Sequence, residues 1–218
     1  MLSGLTAILL TFTMGCQPTS SVTSEERGGG EITTMEGPAA LSKSWDKTPI
    51  PFYMSSTVPE ELVQAILDSF SLWEVAAGKT LFEYQGRIHS EAHDFDGVNV
   101  VYWDNEEDPD GNLGVTHAMW SSKHRMMEAD IVFHGDPSSF EALGCGKFKG
   151  TCKIRKGKYD ITTTALHEIG HFMGFEHTST AGAIMNPNFG MNDVKQDFDT
   201  DLVTSLKETY NPSVVASR

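Results

Sequence analysis

From Glu60 onward the apolar positions Leu62, Val63, Ile66, Leu67, Phe70 and Trp73 recur at the spacing of one helix face. Ser55, Ser56 and Thr57 offer capping side chains before this run, Pro59 suits a first turn, and Glu60 and Glu61 complement the N-terminal dipole. Gly78 stops the run, which predicts a helix of about five turns. Five short runs rich in β-branched and aromatic residues read as strands: Thr48–Met54, Thr80–Tyr84, Gly97–Trp103, Gly114–Trp120 and Ala129–His134. A second helix is predicted from Thr162 to Met173 and a third from about Asp199 to Tyr210. Strand, helix, four strands and two helices, with no internal repeat, predict a mixed α/β domain (α+β type) with helices packed on a sheet.

The first residues follow a different rule. Leu2 to Met14 carry no charge, and Gly15-Cys16 precedes a polar stretch, a pattern expected of an export leader over 1–15. A cysteine directly after a small residue is similar to the bacterial lipoprotein signal, which makes Cys16 a candidate lipidation site and the protein membrane-anchored, facing periplasm or exterior. The alternative is an ordinary leader with a cysteine nearby. Residues 16–44 are rich in Ser, Thr, Gly and Glu without apolar periodicity, which predicts a flexible tether, with a domain over 45–218.

Composition removes one class of partner. Thirty acidic side chains against 16 basic ones give a net charge of -14, against a nucleic-acid binder. Six of the basic residues, Lys147, Lys149, Lys153, Arg155, Lys156 and Lys158, nevertheless fall within twelve positions. They read either as a solvated hairpin or as a patch for an anionic surface. Cys145 and Cys152 flank the first half of this loop and are a candidate disulfide in an oxidising compartment.

The chemistry is concentrated in His167-Glu168-Ile169-Gly170-His171-Phe172-Met173-Gly174-Phe175-Glu176-His177. Residues four apart share a helix face, so His167 and His171 can present two imidazoles to one metal ion. Gly174 permits the chain to leave the helix with positive φ and bring His177 round as a third ligand. Three imidazoles leave a tetrahedral zinc one open position, the arrangement of a catalytic site. Glu168, beside the pair, can take a proton from a water activated at the metal. Ile161, Ala165, Leu166, Ile169 and Phe172 supply an apolar face without the histidines. A chance match to the full eleven-residue pattern is on the order of 10⁻⁵ for a chain of this length.

This segment resembles the zinc motif of the metzincin metalloproteases, and Ala183-Ile184-Met185-Asn186-Pro187 resembles their methionine turn. Thr178, directly after the third histidine, is similar to the matrixin branch. The resemblance covers about residues 45–211. It implies a twisted five-stranded mixed sheet with one antiparallel edge strand, a long helix and the zinc-site helix packed on it, and a C-terminal helix. It implies one catalytic Zn2+ on His167, His171 and His177, Glu168 as general base, and Met185 as an apolar floor beneath the metal. Leu113–Trp120 then looks like the edge strand, where Thr116, His117 and Ala118 would pair with an extended protein or peptide substrate. The implied activity is that of an exported, monomeric zinc endopeptidase. The rival from another class is a zinc-containing, peptide-binding lipoprotein with little turnover, against which the presence of Glu168 speaks.

The sequence departs from the matrixin pattern in several places. Animal matrixins hold a second, structural zinc. Here His117 stands at the edge-strand position, but the loop Asp104–Asn112 has no histidine and Val132 occupies the third position, so His117 reads as a strand residue. His89, His93, His124 and His134 have no ligand spacing. Asp104, Glu106, Glu107, Asp108 and Asp110 form an oxygen-rich loop open to Ca2+ or to water alone, with no ligands assignable. Residues 17–44 carry no thiol to cap the zinc, the basic loop 144–158 is longer than expected, and Asn186 stands where matrixins usually carry tyrosine.

Overall fold

Helix α1, Glu60–Ala77, turns Leu62, Ile66, Phe70 and Trp73 into the core, as the spacing predicts. Its C-cap Gly78 adopts φ 67°, and its N–H bonds back to Glu74 and Val75 carbonyls. The predicted capping of its start does not occur. Pro59 is the N-cap and makes no side-chain cap hydrogen bond. Thr57 instead accepts from the Trp103 N–H at 2.9 Å, and its own N–H donates to Ser55 Oγ at 3.1 Å. The hydroxyls are spent on joining the helix entry to the sheet.

The computed structural model describes residues 14–15, 38–89, 95–143 and 154–212. Strands are β1 (Met14–Gly15), β2 (Ile50–Ser55), β3 (Phe82–Ile88), β4 (Val100–Asp104), β5 (Gly114–Trp120), β6 (Met126–His134), β7 (Phe140–Glu141) and β8 (Tyr159–Asp160). In the main sheet β3, β2, β4 and β6 run parallel and β5 is antiparallel to β6. This is the expected five-stranded mixed sheet. A further two-residue strand, β1, pairs antiparallel along the outer side of β5, with Met14 opposite Thr116 and Gly15 opposite Val115. The edge carries unpaired backbone groups that any extended segment can satisfy. These two residues fall within the segment whose composition reads as a leader.

Helices α2 (Ile161–Phe172) and α3 (Thr200–Tyr210) complete the domain. All twelve residues of α2 are buried, so it is a central helix and not an amphipathic one with a wet side. Its Phe172 meets Phe70 and Phe82 edge to face, and Phe52 stacks on Phe70 behind them. Asp160 caps α2, its carboxylate accepting from the N–H groups of Thr162 and Thr163. The opposite face of the sheet buries a smaller cluster of Val100, Tyr102, Val115 and Val132.

The packed domain takes in residues before Trp45. Ala39 is buried in the core, Leu41 bridges to Phe175, and Ser44 bridges to Arg125. Residues 39–45 therefore form a strap along the end of α2, where composition alone predicts tether.

Candidate metal centre

The turn after α2 decides the geometry of the site. Gly174 has φ 95°, and a Cβ there would stand 2.2 Å from the Lys43 carbonyl oxygen. Only glycine accommodates both the left-handed backbone and the strap. Around it the buried carbonyls find donors from distant parts of the chain: Trp45 Nε1 donates to Phe172 at 2.7 Å, Tyr210 Oη to Met173 at 2.9 Å, and the Ser42 N–H to Gly174 at 3.1 Å. Burial pushes the Tyr210 hydroxyl up to about 12, so it remains a donor. The Glu176 N–H donates to the Ala40 carbonyl, and Lys43 pairs with Glu176 at 3.1 Å. None of these braces was anticipated from sequence. Trp45 and Tyr210 carried a signal, since a buried Trp or Tyr needs a polar partner, but Ala40 and Ser42 act through backbone and leave none.

The result is convergence of three imidazoles. His167 Nε2 lies 3.0 Å from His171 Nε2 and 3.2 Å from His177 Nε2, and the latter two are 3.1 Å apart. His167 Nδ1 donates to the Ile184 carbonyl at 2.7 Å and His171 Nδ1 donates to the Phe175 carbonyl at 2.8 Å. Those bonds fix the tautomers and turn the Nε2 lone pairs of both rings inward. Burial, and next the neighbouring His177, hold His167 down to about 3; burial holds His177 to about 4 and His171 well below the ordinary range. Neutral imidazoles aimed at one point are what a cation requires. Zinc–nitrogen bonds of about 2.0–2.1 Å at tetrahedral angles separate nitrogens by roughly 3.3 Å, so the set fits zinc with little adjustment. Among the described residues this is the one group of three or more His, Cys, Asp or Glu side chains that could hold a metal ion.

Met185 packs against the same helix, α2. A Cβ on Gly170 would stand 2.2 Å from the Met185 sulfur, which explains a glycine in the middle of the helix between two histidines. Thr178 links third histidine and methionine turn, its N–H donating to the Met185 carbonyl at 3.0 Å. Glu168 is fully buried and faces β5, where Thr116 Oγ1 donates to its Oε2 at 2.8 Å.

The family model described as matrixin, the M10 peptidases, matches residues 45–211, the span that builds this sheet and site. The chain belongs to the matrixin family. Matrixins use a catalytic zinc, and in this matrixin His167, His171 and His177 form the site that can hold it. Similar proteins include mouse stromelysin-3, 28% identical over 149 residues covering 66% of this chain and 27% of that one. Karilysin of Tannerella forsythia is 25% identical over 193 residues, covering 83% of this chain and 36% of its own. Human neutrophil collagenase is 25% identical over 190 residues, covering 85% and 36%. The matched part of this matrixin spans about a quarter to a third of the length of these relatives.

The remaining sequence candidates fall elsewhere. His117 sits opposite Asp130 on β5, two residues from Val115 of the smaller cluster. His89 contacts Ser56 Oγ at 3.2 Å, and His124 occupies a turn with φ 59°. In the acidic loop, Asp108 Oδ2 accepts from the N–H groups of Asp110 and Asn112 and from Asn112 Nδ2, so that oxygen organises the loop itself. Of the basic loop, Arg155 pairs with Glu141 at 2.8 Å and Lys158 Nζ donates to the Ser138 carbonyl, both bound to the adjoining segment. Cys16, Cys145, Cys152 and His93 lie outside the described residues.

Proposed function

We propose that this matrixin is an exported zinc endopeptidase that hydrolyses peptide bonds in extended protein or peptide segments. The observation that carries the reading is the convergence of three neutral imidazoles within 3.2 Å, one residue from a buried carboxylate. Zinc, when bound, supplies a Lewis acid that polarises the substrate carbonyl and makes water ionise near neutrality. Glu168 takes the proton of the attacking water and later delivers it to the leaving amine. Met185 closes the floor of the site, its sulfur against Gly170. The substrate backbone adds along β5 at Thr116, His117 and Ala118, a reading supported by the antiparallel pairing of Met14–Gly15 on that edge. The tertiary frame keeps α2 fixed while this edge accepts variable partners.

Residues 1–15 act as the export leader, Cys16 as the lipid attachment site, 16–44 as a tether whose last residues fold onto the domain, and 45–218 as the catalytic domain, active as a monomer. The uncharged run before Cys16 supports export and anchoring. Calcium remains without assigned ligands.

The deciding experiment is to load the purified protein with zinc, measure metal content, and incubate it with casein, with and without a chelator. One bound zinc per chain with chelator-sensitive cleavage is expected, and Glu168→Ala should retain the zinc while losing at least about 100-fold in rate. Cleavage that persists without metal, or in the alanine variant, removes the proposal.

A further inference from the structure

Glu168 has a seat built for it on the edge strand. Gly114 and Thr116 lie two apart on β5, hence on the same face, and both meet this one side chain. A Cβ on Gly114 would stand 2.9 Å from Glu168 Cγ and 3.1 Å from its Oε1, so the missing side chain is the space in which the glutamate lies. Thr116 Oγ1 sits 2.8 Å from Glu168 Oε2 and 3.0 Å from the Glu168 backbone carbonyl. Threonine and glutamate are both buried. The hydroxyl has one proton and two acceptors, both on the same residue, and either bond ties the glutamate to the strand beside which substrate adds. Threonine suits this task because β-branching restricts χ1 on a strand, so the hydroxyl is aimed before substrate arrives.

Taken with the endopeptidase reading on which it rests, we infer that Thr116 is a positioning residue for the general base, and that Gly114 keeps its place clear. A carboxylate with rotatable bonds that must meet one water proton gains rate from being held in one orientation. Thr116 acts through Glu168 and its hydroxyl touches no substrate atom, so its removal should appear in kcat and not in KM. The strand thus has two separate duties. Its backbone pairs with the peptide, and its inward side chains set the base.

The test compares Thr116→Val, which keeps shape and loses the hydroxyl, with Thr116→Ser, which keeps the hydroxyl. With zinc-loaded proteins of equal metal content, valine is expected to lower kcat roughly 10- to 100-fold with KM within about twofold, and serine to restore most of it. In a Glu168→Ala background the valine change should add nothing to the residual loss, as expected of residues acting as one unit. Crystal structures of zinc-loaded wild type and Thr116→Val give a readout independent of turnover. The Glu168 carboxylate should sit at one position against Thr116 Oγ1 in the first and be displaced or split in the second. Gly114→Ala, crowding Glu168 Cγ, should displace it likewise. An undisturbed glutamate in Thr116→Val, an unchanged kcat, or a valine effect that persists at full size without Glu168 overturns the inference. A wild type that binds zinc and cuts nothing sinks the endopeptidase reading alone, because the crystallographic comparison still decides whether the seat exists.

Discussion

Two histidine-bearing regions of this matrixin use similar residues to opposite ends. At the end of α2 three rings face one another, with His167 and His171 pinned through Nδ1 to backbone carbonyls. At the end of β6 His134 lies among carboxylates, with Nδ1 3.9 Å from Asp104 and Nε2 4.0 Å from Asp108, both beyond hydrogen-bond reach. The second region is richer in charge and the first in constraint. A metal centre depends on lone pairs held at one point by bonds on their far side. A crowd of acidic groups around a histidine, with Asp108 Oδ2 turned to the loop's own N–H groups, lacks that convergence.

Replacing one histidine in each region should break the symmetry of composition most sharply. His171→Ala removes a buried, pinned ligand and is expected to weaken zinc binding by at least about 100-fold, exceeding the loss typical of a supporting contact. His134→Ala should leave zinc affinity within about twofold. Competition against a chromophoric chelator measures both, and equal losses would mean that the comparison is misdrawn.

Acid distinguishes the regions next. The folded-state pKa values of His167 and His177 are lowered to about 3 and about 4 by burial, so the metal-free fold favours their neutral forms. An unfolded chain takes up those protons near 6.5. Their contribution to stability is therefore intact above about pH 6.5 and declines as pH falls toward 4, because the unfolded state binds more protons throughout that window. The denaturant midpoint of metal-free protein should drop from pH 7 to pH 4. In His167→Ala it should drop less steeply. A midpoint independent of pH over this range contradicts the burial of neutral imidazoles.

How far the sequence disclosed all this depends on what each residue does. The helices over Glu60–Ala77 and Ile161–Phe172 and the turn at Gly174 were legible because periodicity, a terminal glycine and the histidine spacing are local properties. Gly114 and Gly170 were not, since each is small to admit a side chain arriving from elsewhere, Glu168 in one case and Met185 in the other. Ser55 and Thr57 misled for a related reason: the predicted capping does not occur, because Thr57 Oγ1 accepts from Trp103 of the sheet and Ser55 Oγ accepts from the Thr57 N–H. The strap at 39–45 is held by backbone hydrogen bonds to the turn after α2 and to the connection between β5 and β6, which polar composition neither encodes nor forbids. Asp160 was within reach, as an aspartate before a helical run is a strong N-cap.

Gly170 supplies a smaller test of constraint at the metal centre. Gly170→Ala improves intrinsic helix propensity by about 1 kcal/mol, yet its Cβ would overlap the Met185 sulfur and press on Trp73. Overpacking of that kind typically costs about 1–3 kcal/mol. A net loss of up to about 2 kcal/mol in urea denaturation, with weaker zinc binding, is the expected outcome; a gain in stability would show that the methionine turn moves freely.

The smallest effect belongs to the acidic loop. Asp108→Ala deletes the acceptor for two N–H groups and for Asn112 Nδ2, local bonds worth about 1 kcal/mol or less in net stability where water can replace them. Zinc affinity should be unchanged, and amide hydrogen exchange should rise at Asp110 and Asn112 while that of α2 stays slow. If exchange also accelerates in α2, loop and metal centre form one cooperative unit, and the contrast between an organised site and a self-contained loop gives way to a single network running through Leu113 into β5.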